Sequence, residues 1–232
     1  MLRKWIPTYH RGFSMANVSI RRYKSSDYDM VRLLFAEGVK SHIPYIYTYL
    51  AKLPQVHFVL LTTFLIVFSI SRSYLLSLMS VALVLVCSLF LLYTLMGHSV
   101  RKCHNGDLFD IEKSYMTDDK SCFWVAETNG RVVGIVGVQP VKDSEGVILL
   151  RRLSVAKNQR GRGIARSLCQ TVIDFARQYG VKHINLDTGA FQRPAHRLYE
   201  NIGFEKTRVK YIQTLPARFA NISVLYYTYN VK

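Results

Sequence analysis

The sequence predicts an α/β domain of the α+β kind, a mixed central sheet with helices, interrupted after its first helix by an apolar helical hairpin inserted in a membrane. Three observations predict it. Between Leu53 and Met96 only one charged residue, Arg72, occurs. From Cys122 onward, short strand-like runs alternate with helical ones. The stretch NQRGRGIARSLCQ, residues 158–170, sets two glycines and three arginines in front of a helical pattern.

Taken in order, Val18–Tyr23 (VSIRRY) alternates as a strand does. Ser26 is placed to cap a helix running to Glu37, with Asp27 and Asp29 in its first turn. Two largely apolar runs follow, Val56–Ile70 with fifteen residues and Tyr74–Met96 with twenty-three, separated by Ser71-Arg72-Ser73. The second exceeds the roughly 20 residues that span hydrocarbon. The first reaches about 22 Å and must recruit Leu53–Gln55, tilt little, or thin the bilayer. A pair of core helices would keep a polar face, and a cleaved signal peptide would be shorter and start nearer the N-terminus. The chain thus divides into an N-terminal strand and helix (1–52), a membrane hairpin (53–98) and the main domain (99–232).

Downstream, Cys122–Glu127 (CFWVAE) and Arg131–Val138 (RVVGIVGV) flank Thr128-Asn129-Gly130, a hairpin signal. Val147–Val155 is a further strand. A helix runs from Gly163 to about Tyr179 and is closed by Gly180. His183–Asp187 reads as a strand and Pro194–Asn201 as a short helix. Arg208–Leu215 and Ile222–Tyr229 form a final strand pair.

Composition narrows the partners. The chain carries 31 Lys and Arg against 15 Asp and Glu, a net charge of +16 without long basic runs. That balance calls for an anionic partner: nucleic acid, an acidic membrane face or a phosphorylated cofactor. The basic residues are dispersed and match no recognised motif, which speaks against nucleic acid. Cys87, Cys103, Cys122 and Cys169 contain no CxxC pair, consistent with a reducing compartment. No second ligand pair follows Cys103-His104 at usable spacing, so no metal is expected.

The glycine–arginine stretch supplies the candidate site. A strand ending near Val155, a loop, and a helix starting at Gly161–Gly163 present unpaired backbone N–H groups and a positive dipole end, a combination that binds phosphate. Gly161 and Gly163 let a ligand approach the main chain, while Arg160, Arg162 and Arg166 raise the local potential. Each anion at such a helix end gains roughly 0.3–1 kcal/mol. The phosphate loop of ATPases is excluded because no Gly-Lys-Ser/Thr occurs. A dinucleotide fingerprint would need glycine at Arg166 and would normally follow the first strand of its domain.

Arg160-Gly161-Arg162-Gly163-Ile164-Ala165, following Leu153-Ser154-Val155, is similar to the R-x-x-G-x-G/A acetyl-coenzyme A loop of the Gcn5-related N-acetyltransferase (GNAT) superfamily. Ala195–Phe204 (AHRLYENIGF) resembles the A-x-x-LY-x-x-x-GF segment of the same superfamily. With the apolar insertion and the phrases RLSVAKNQRGRGIA and LDTGAFQRPAHRLYENIGF, the chain resembles the camello or N-acetyltransferase 8 group, whose members are endoplasmic reticulum enzymes. The resemblance covers Val18–Val231 apart from the insertion, and implies acetyl transfer from acetyl-CoA to a primary amine.

What the resemblance implies for the site is specific. Acetyl-CoA would be held by Leu153, Val155, Arg160, Gly161, Arg162, Gly163, Ile164, Ala165, Arg166 and Gln192, the last standing where the superfamily often has Asn. Tyr199 resembles the tyrosine that protonates the leaving thiolate. The base is Asp187, Glu127, or water with backbone carbonyls. Arg151 and Arg152 alternate along one strand, so one is expected to face the active site and hold an acceptor carboxylate, as in a cysteine S-conjugate. Each has an ordinary reading too: a core aromatic, solvated carboxylates, a surface cation. The acceptor loops are Asn105–Lys120 and Gln213–Ile222. A protein lysine acetyltransferase of the reticulum and a non-catalytic coenzyme A-binding scaffold remain alternatives. If Val18–Tyr23 joins the same sheet as the later strands, the insertion crosses an even number of times. Lys40, Lys52, Arg101 and Lys102 at its base against Arg72 at its tip then place the domain in the cytosol. The expected partners are thus a small-molecule amine acceptor and the lipid bilayer, with oligomeric state left open.

Overall fold

The computed structural model describes residues 18–141, 144–213 and 215–232. Its seven strands are β1 (Val18–Arg22), β2 (Cys122–Thr128), β3 (Arg131–Pro140), β4 (Val147–Val155), β5 (His183–Gly189), β6 (Glu205–Tyr211) and β7 (Ser223–Asn230), arranged in one sheet of order 1-2-3-4-5-7-6. Only β4 and β5 run parallel; every other neighbouring pair is antiparallel. Helices α1 (Tyr28–Lys40), α2 (Ile43–Leu50), α3 (Pro54–Ser71), α4 (Tyr74–His104) and α5 (Ile111–Tyr115) lie between β1 and β2. Helices α6 (Ile164–Gln178), α7 (Arg193–Ile202) and α8 (Leu215–Phe219) follow β4, β5 and β6. This is the predicted mixed-sheet GNAT architecture with its helical insertion.

Alternation along the strands feeds two core layers. On one face Ile184 and Leu186 of β5, Trp124 of β2 and Tyr227 of β7 pack with Leu168, Val172 and Ile173 of α6. On the other, Phe123, Val125 and Ile135 pack with Val31, Leu34 and Phe35 of α1 and Tyr115 of α5. A third cluster joins Ile43 and Ile46 of α2 to Leu92 of α4, with Met96 and Phe191 against it. The Asn129-Gly130 turn takes φ of 50° and 72°, the left-handed pair a two-residue hairpin demands. β1 does pair with β2, so both ends of the α3–α4 insertion return to one sheet.

Two local expectations are corrected. Ser26 caps no helix: residues Ser25–Asp27 form a short 3-10 turn and α1 begins at Tyr28. Asp27 is the residue before α1, and its carboxylate turns back, accepting the Lys24 N–H at 2.9 Å and the Arg21 guanidinium at 2.6 Å. The predicted strand at 208–215 starts earlier, at Glu205, and ends at Tyr211, where its ladder reaches Ser223, the first residue of β7. Leu215 belongs to α8.

α3 buries none of its residues, and α4 buries only Ser77, Leu92 and Val100. The pair is antiparallel, joined by Arg72 at φ 54° and by Ser73, whose hydroxyl caps α4. Bulky apolar side chains stand outward on both, with Ile70 81% exposed. All nine Ser and Thr hydroxyls of the two helices, from Thr62 to Ser99, donate to carbonyls three or four residues back. Both helices are long and apolar enough to cross a membrane. Beyond about Leu91, α4 leaves α3 behind and docks on the domain through Leu92, Met96 and Val100.

Candidate active site

The site begins where two parallel strands part. β4 and β5 are hydrogen-bonded only from Val147–Leu149 to His183–Asn185. The cause lies in β4: its register against β3 shifts between Ile135 and Gly137, and Arg152 sits at φ 60°, in the left-handed region. Beyond that bulge Leu153 and Val155 of β4 face a gap opposite Leu186–Gly189 of β5. Main-chain groups on both edges of the gap have no strand between them, which suits an extended amide-bearing ligand arm.

At the mouth of this gap stands the α6 N-terminus. Gly161 and Gly163 take φ of 78° and 80°, a conformation that disfavours any side chain. Gly163 is the N-cap residue, and no side chain caps the helix. The first-turn N–H groups of Ile164, Ala165 and Arg166 therefore point outward unsatisfied, with the dipole behind them. Ile164 anchors the turn, 1% exposed in the core. Arg160 donates from Nε to the Val155 carbonyl and from its terminal nitrogen to Ser41 Oγ, both at 3.0 Å, holding the loop against β4 and the end of α1. Arg162 and Arg166 are exposed and paired with no carboxylate among the described residues. Uncapped N–H groups, left-handed glycines and free cations fit a pyrophosphate.

Tyr199 lies on α7, 6% exposed, with its ring 5.7 Å from Phe204 and 6.0 Å from Tyr227. Gly203 at φ 109° ends the helix and accommodates the turn into Phe204. Burial first, then Cys169, Asp187 and Tyr227, push the Tyr199 hydroxyl well above its usual range, so it stays protonated at neutral pH. Asp187 is exposed on β5, opposite in parity to buried Leu186, and is paired with Tyr226. Its charge is among the lesser causes that raise the Tyr199 hydroxyl, while Leu186, on the other face of β5, packs in the same core as Tyr199. Glu127 is instead held by Arg21 at 2.7 Å on β2, with β3 between it and the gap. Gln192 is the N-cap residue of α7, and its side-chain oxygen accepts from the buried Thr188 hydroxyl.

The two arginines of β4 separate in role. Arg152 gives its guanidinium to Asp107 at 2.9 and 2.5 Å, lies over the Phe35 ring at 4.9 Å, and reaches Cys103 Sγ at 2.9 Å. Tyr115 donates its hydroxyl to the same carboxylate. Nothing of that fork is left for an acceptor. Arg151 makes one contact, 3.3 Å to Gln139 Oε1, and is half-buried.

Two residues that sequence reasoning passed over enter here. His42, in the turn between α1 and α2, stands 6.0 Å from the Phe191 ring and near Arg160. Burial, then Arg160, pulls its pKa down to about 4, leaving it neutral. Asp107 closes the cluster around Arg152. Neither carries a local motif; only the long-range contacts Ser41–Arg160 and Asp107–Arg152 reveal them. Among the described residues no group of His, Cys, Asp and Glu could hold a metal. A shallow cavity of about 490 Å³ beside Tyr23 and Glu112 shares no lining residue with the gap.

Comparison with known proteins adds a finding of a different kind. The family model described as acetyltransferase (GNAT) family matches residues 89–204. The chain is 45% identical over 218 residues to a probable N-acetyltransferase camello of Xenopus tropicalis, covering 94% of this chain and 100% of that one. It is 38% identical over 218 residues to N-acetyltransferase 8 of Rattus norvegicus, covering 93% and 98%. A crystal structure of a GNAT-family acetyltransferase from Staphylococcus aureus Mu50 superposes with a TM-score of 0.58 over 93% of this chain and 99% of that one. At 18% identity that likeness is one of fold.

Proposed function

The chain belongs to the acetyltransferase (GNAT) family, and from that premise we propose that it is a membrane-anchored N-acetyltransferase acting on the amine of a small amino-acid-type acceptor, foremost a cysteine S-conjugate. GNAT acetyltransferases use acetyl-CoA, and the activated acetyl group is what that thioester supplies. The observation that carries the reading is the uncapped, glycine-flanked N-terminus of α6 beside the parting of β4 and β5; the buried Tyr199 phenol, which stays protonated, supports it.

Each residue then has a task. The N–H groups from Gly161 to Arg166 receive the pyrophosphate, with Arg162 and Arg166 adding charge. The main chain of Leu153 and Val155 lines the extended arm. Asp187, directly or through water, accepts the proton that a primary amine must lose to attack. Tyr199 gives its proton to the departing sulfur. Arg151, the β4 cation without a carboxylate partner among the described residues, holds the acceptor's carboxylate.

Anchoring is supported by the hairpin's surface and length. Eighteen residues of α3 rise about 27 Å, close to the roughly 27 Å hydrocarbon of the reticulum membrane. The self-satisfied hydroxyls leave no side-chain donor of the hairpin's Ser and Thr facing lipid unpaired. Arg72 alone at the tip, against Lys40, Lys52, Arg101 and Lys102 at the base, favours a cytosolic catalytic domain.

The test is coenzyme A release by detergent-solubilised protein with acetyl-CoA and, in turn, S-benzylcysteine, aspartate and a lysine peptide. Turnover with S-benzylcysteine alone is expected. Turnover with the peptide alone would replace this acceptor class by protein lysine, and saturable cofactor binding without turnover on any amine would leave a scaffold.

A further inference from the structure

The connection between β6 and β7 is held against the base of the apolar hairpin. Gln55, the second residue of α3, donates its amide to the Phe219 carbonyl at 2.8 Å. The Tyr49 hydroxyl, near the end of α2, donates to the Asn221 carbonyl at 3.3 Å. These bonds fix α8 at the height where the apolar run of α3 begins, at Val56. Ala217 and Ala220 face inward, 7% and 4% exposed, so the helix is pinned on one side. Its other side shows Arg218 and Phe219, with Tyr211 of β6 exposed nearby in the chain. Arg208, Lys210 and Arg218 pair with no carboxylate among the described residues. Exposed aromatics and unpaired cations, level with the start of a lipid-sized apolar helix, are the composition of a membrane interface.

We propose that the β6–α8–β7 connection is a second membrane contact, seated in the headgroup layer of the leaflet that α3 enters, with anionic phospholipid as its partner. The inference rests on the anchoring reading above. Continuity with the hairpin surface and opposite charge select the partner, since an anionic leaflet attracts basic side chains held near it.

The full chain, carrying Trp5→Phe to leave buried Trp124 as background, is reconstituted in vesicles of phosphatidylcholine with phosphatidylserine. Phe219→Trp reports on the connection, and Ile66→Trp, in the middle of α3, reports on the hairpin. Expected is quenching of the residue-219 probe by lipid nitroxide near the headgroup, at least half as strong as quenching of the residue-66 probe by nitroxide deep in the chains. A quenched residue-66 probe with a residue-219 probe at background would overturn this inference and leave the anchoring intact. An unquenched residue-66 probe would overturn both. Lys210→Glu with Arg218→Glu is expected to cut the residue-219 quenching about twofold or more in anionic vesicles; no change there would refute the anionic partner.

Discussion

Replacing Asp107 by Ala should destabilise the domain by a large and specific amount. Arg152 and Asp107 are 16% and 13% exposed in their side chains and joined by two hydrogen bonds, at 2.9 and 2.5 Å. Removing the carboxylate leaves a buried guanidinium with only Phe35 and a thiol as company, and losing one partner of a buried pair costs about 3–5 kcal/mol. At roughly 2–4 °C per kcal/mol for a chain of this size, melting should fall by about 6–20 °C, read by thermal unfolding in detergent. Replacing both partners by apolar side chains, Asp107→Leu with Arg152→Met, should recover much of that loss, because no charge is then stranded. A single variant losing under about 1 kcal/mol, or a double variant no better than the sum of the singles, would refute the reasoning. Burial alone would raise the Asp107 pKa, but the Arg152 and Tyr115 hydrogen bonds lower it further, leaving it below its usual range. A depressed carboxylate stabilises above its unfolded value of about 3.9, so this contribution should persist at neutral pH and fade only as pH falls below that.

Gly161→Ala meets no atom within 4 Å, so its only penalty is the left-handed backbone at φ 78°. About 1–2 kcal/mol of strain should raise the KM for acetyl-CoA roughly 5- to 30-fold in a steady-state titration, with melting shifted by a few degrees; an unchanged KM would remove the loop from the cofactor site. His42 has a folded pKa of about 4 against about 6.5 unfolded, so its contribution is present above about pH 6.5 and lost as pH falls toward 4. Melting curves of His42→Gln should be flatter than wild type between pH 7 and 5. Arg151→Ala should lower kcat/KM for S-benzylcysteine roughly 10- to 150-fold, from a charge-assisted bond of about 1.5–3 kcal/mol, and leave its methyl ester unaffected; equal losses on both would take the carboxylate away from Arg151.

Much of this architecture is legible because its signals are local. Alternating runs at 122–138 and 147–155 mark their strands, Asn129-Gly130 marks its turn, and the glycines at 161 and 163 mark a main chain bare enough for phosphate. Tyr199 is legible through the segment around it. What escaped is non-local or too short. α2 (IPYIYTYL) is rich in strand-forming residues and becomes a helix by docking Ile43 and Ile46 on Leu92, 46 residues or more away. α5 and α8, at five residues each, offer no period to read. Arg152 looks interchangeable with Arg151 until Asp107, 45 residues earlier, takes its guanidinium. The second apolar run does not announce that two of its residues, Leu92 and Met96, pack against α2.

The central claim is that acetyl moves to an amine at the gap where Tyr199 is held protonated. The most direct measurement is steady-state turnover of Tyr199→Phe, with the N-acetylated product identified by mass spectrometry. Because the change removes one oxygen and keeps the buried ring and its packing, it should leave folding and the KM for acetyl-CoA within about twofold of wild type, while kcat falls roughly 10²- to 10⁴-fold, the range for a lost general acid. An unchanged kcat in the folded variant would contradict the account.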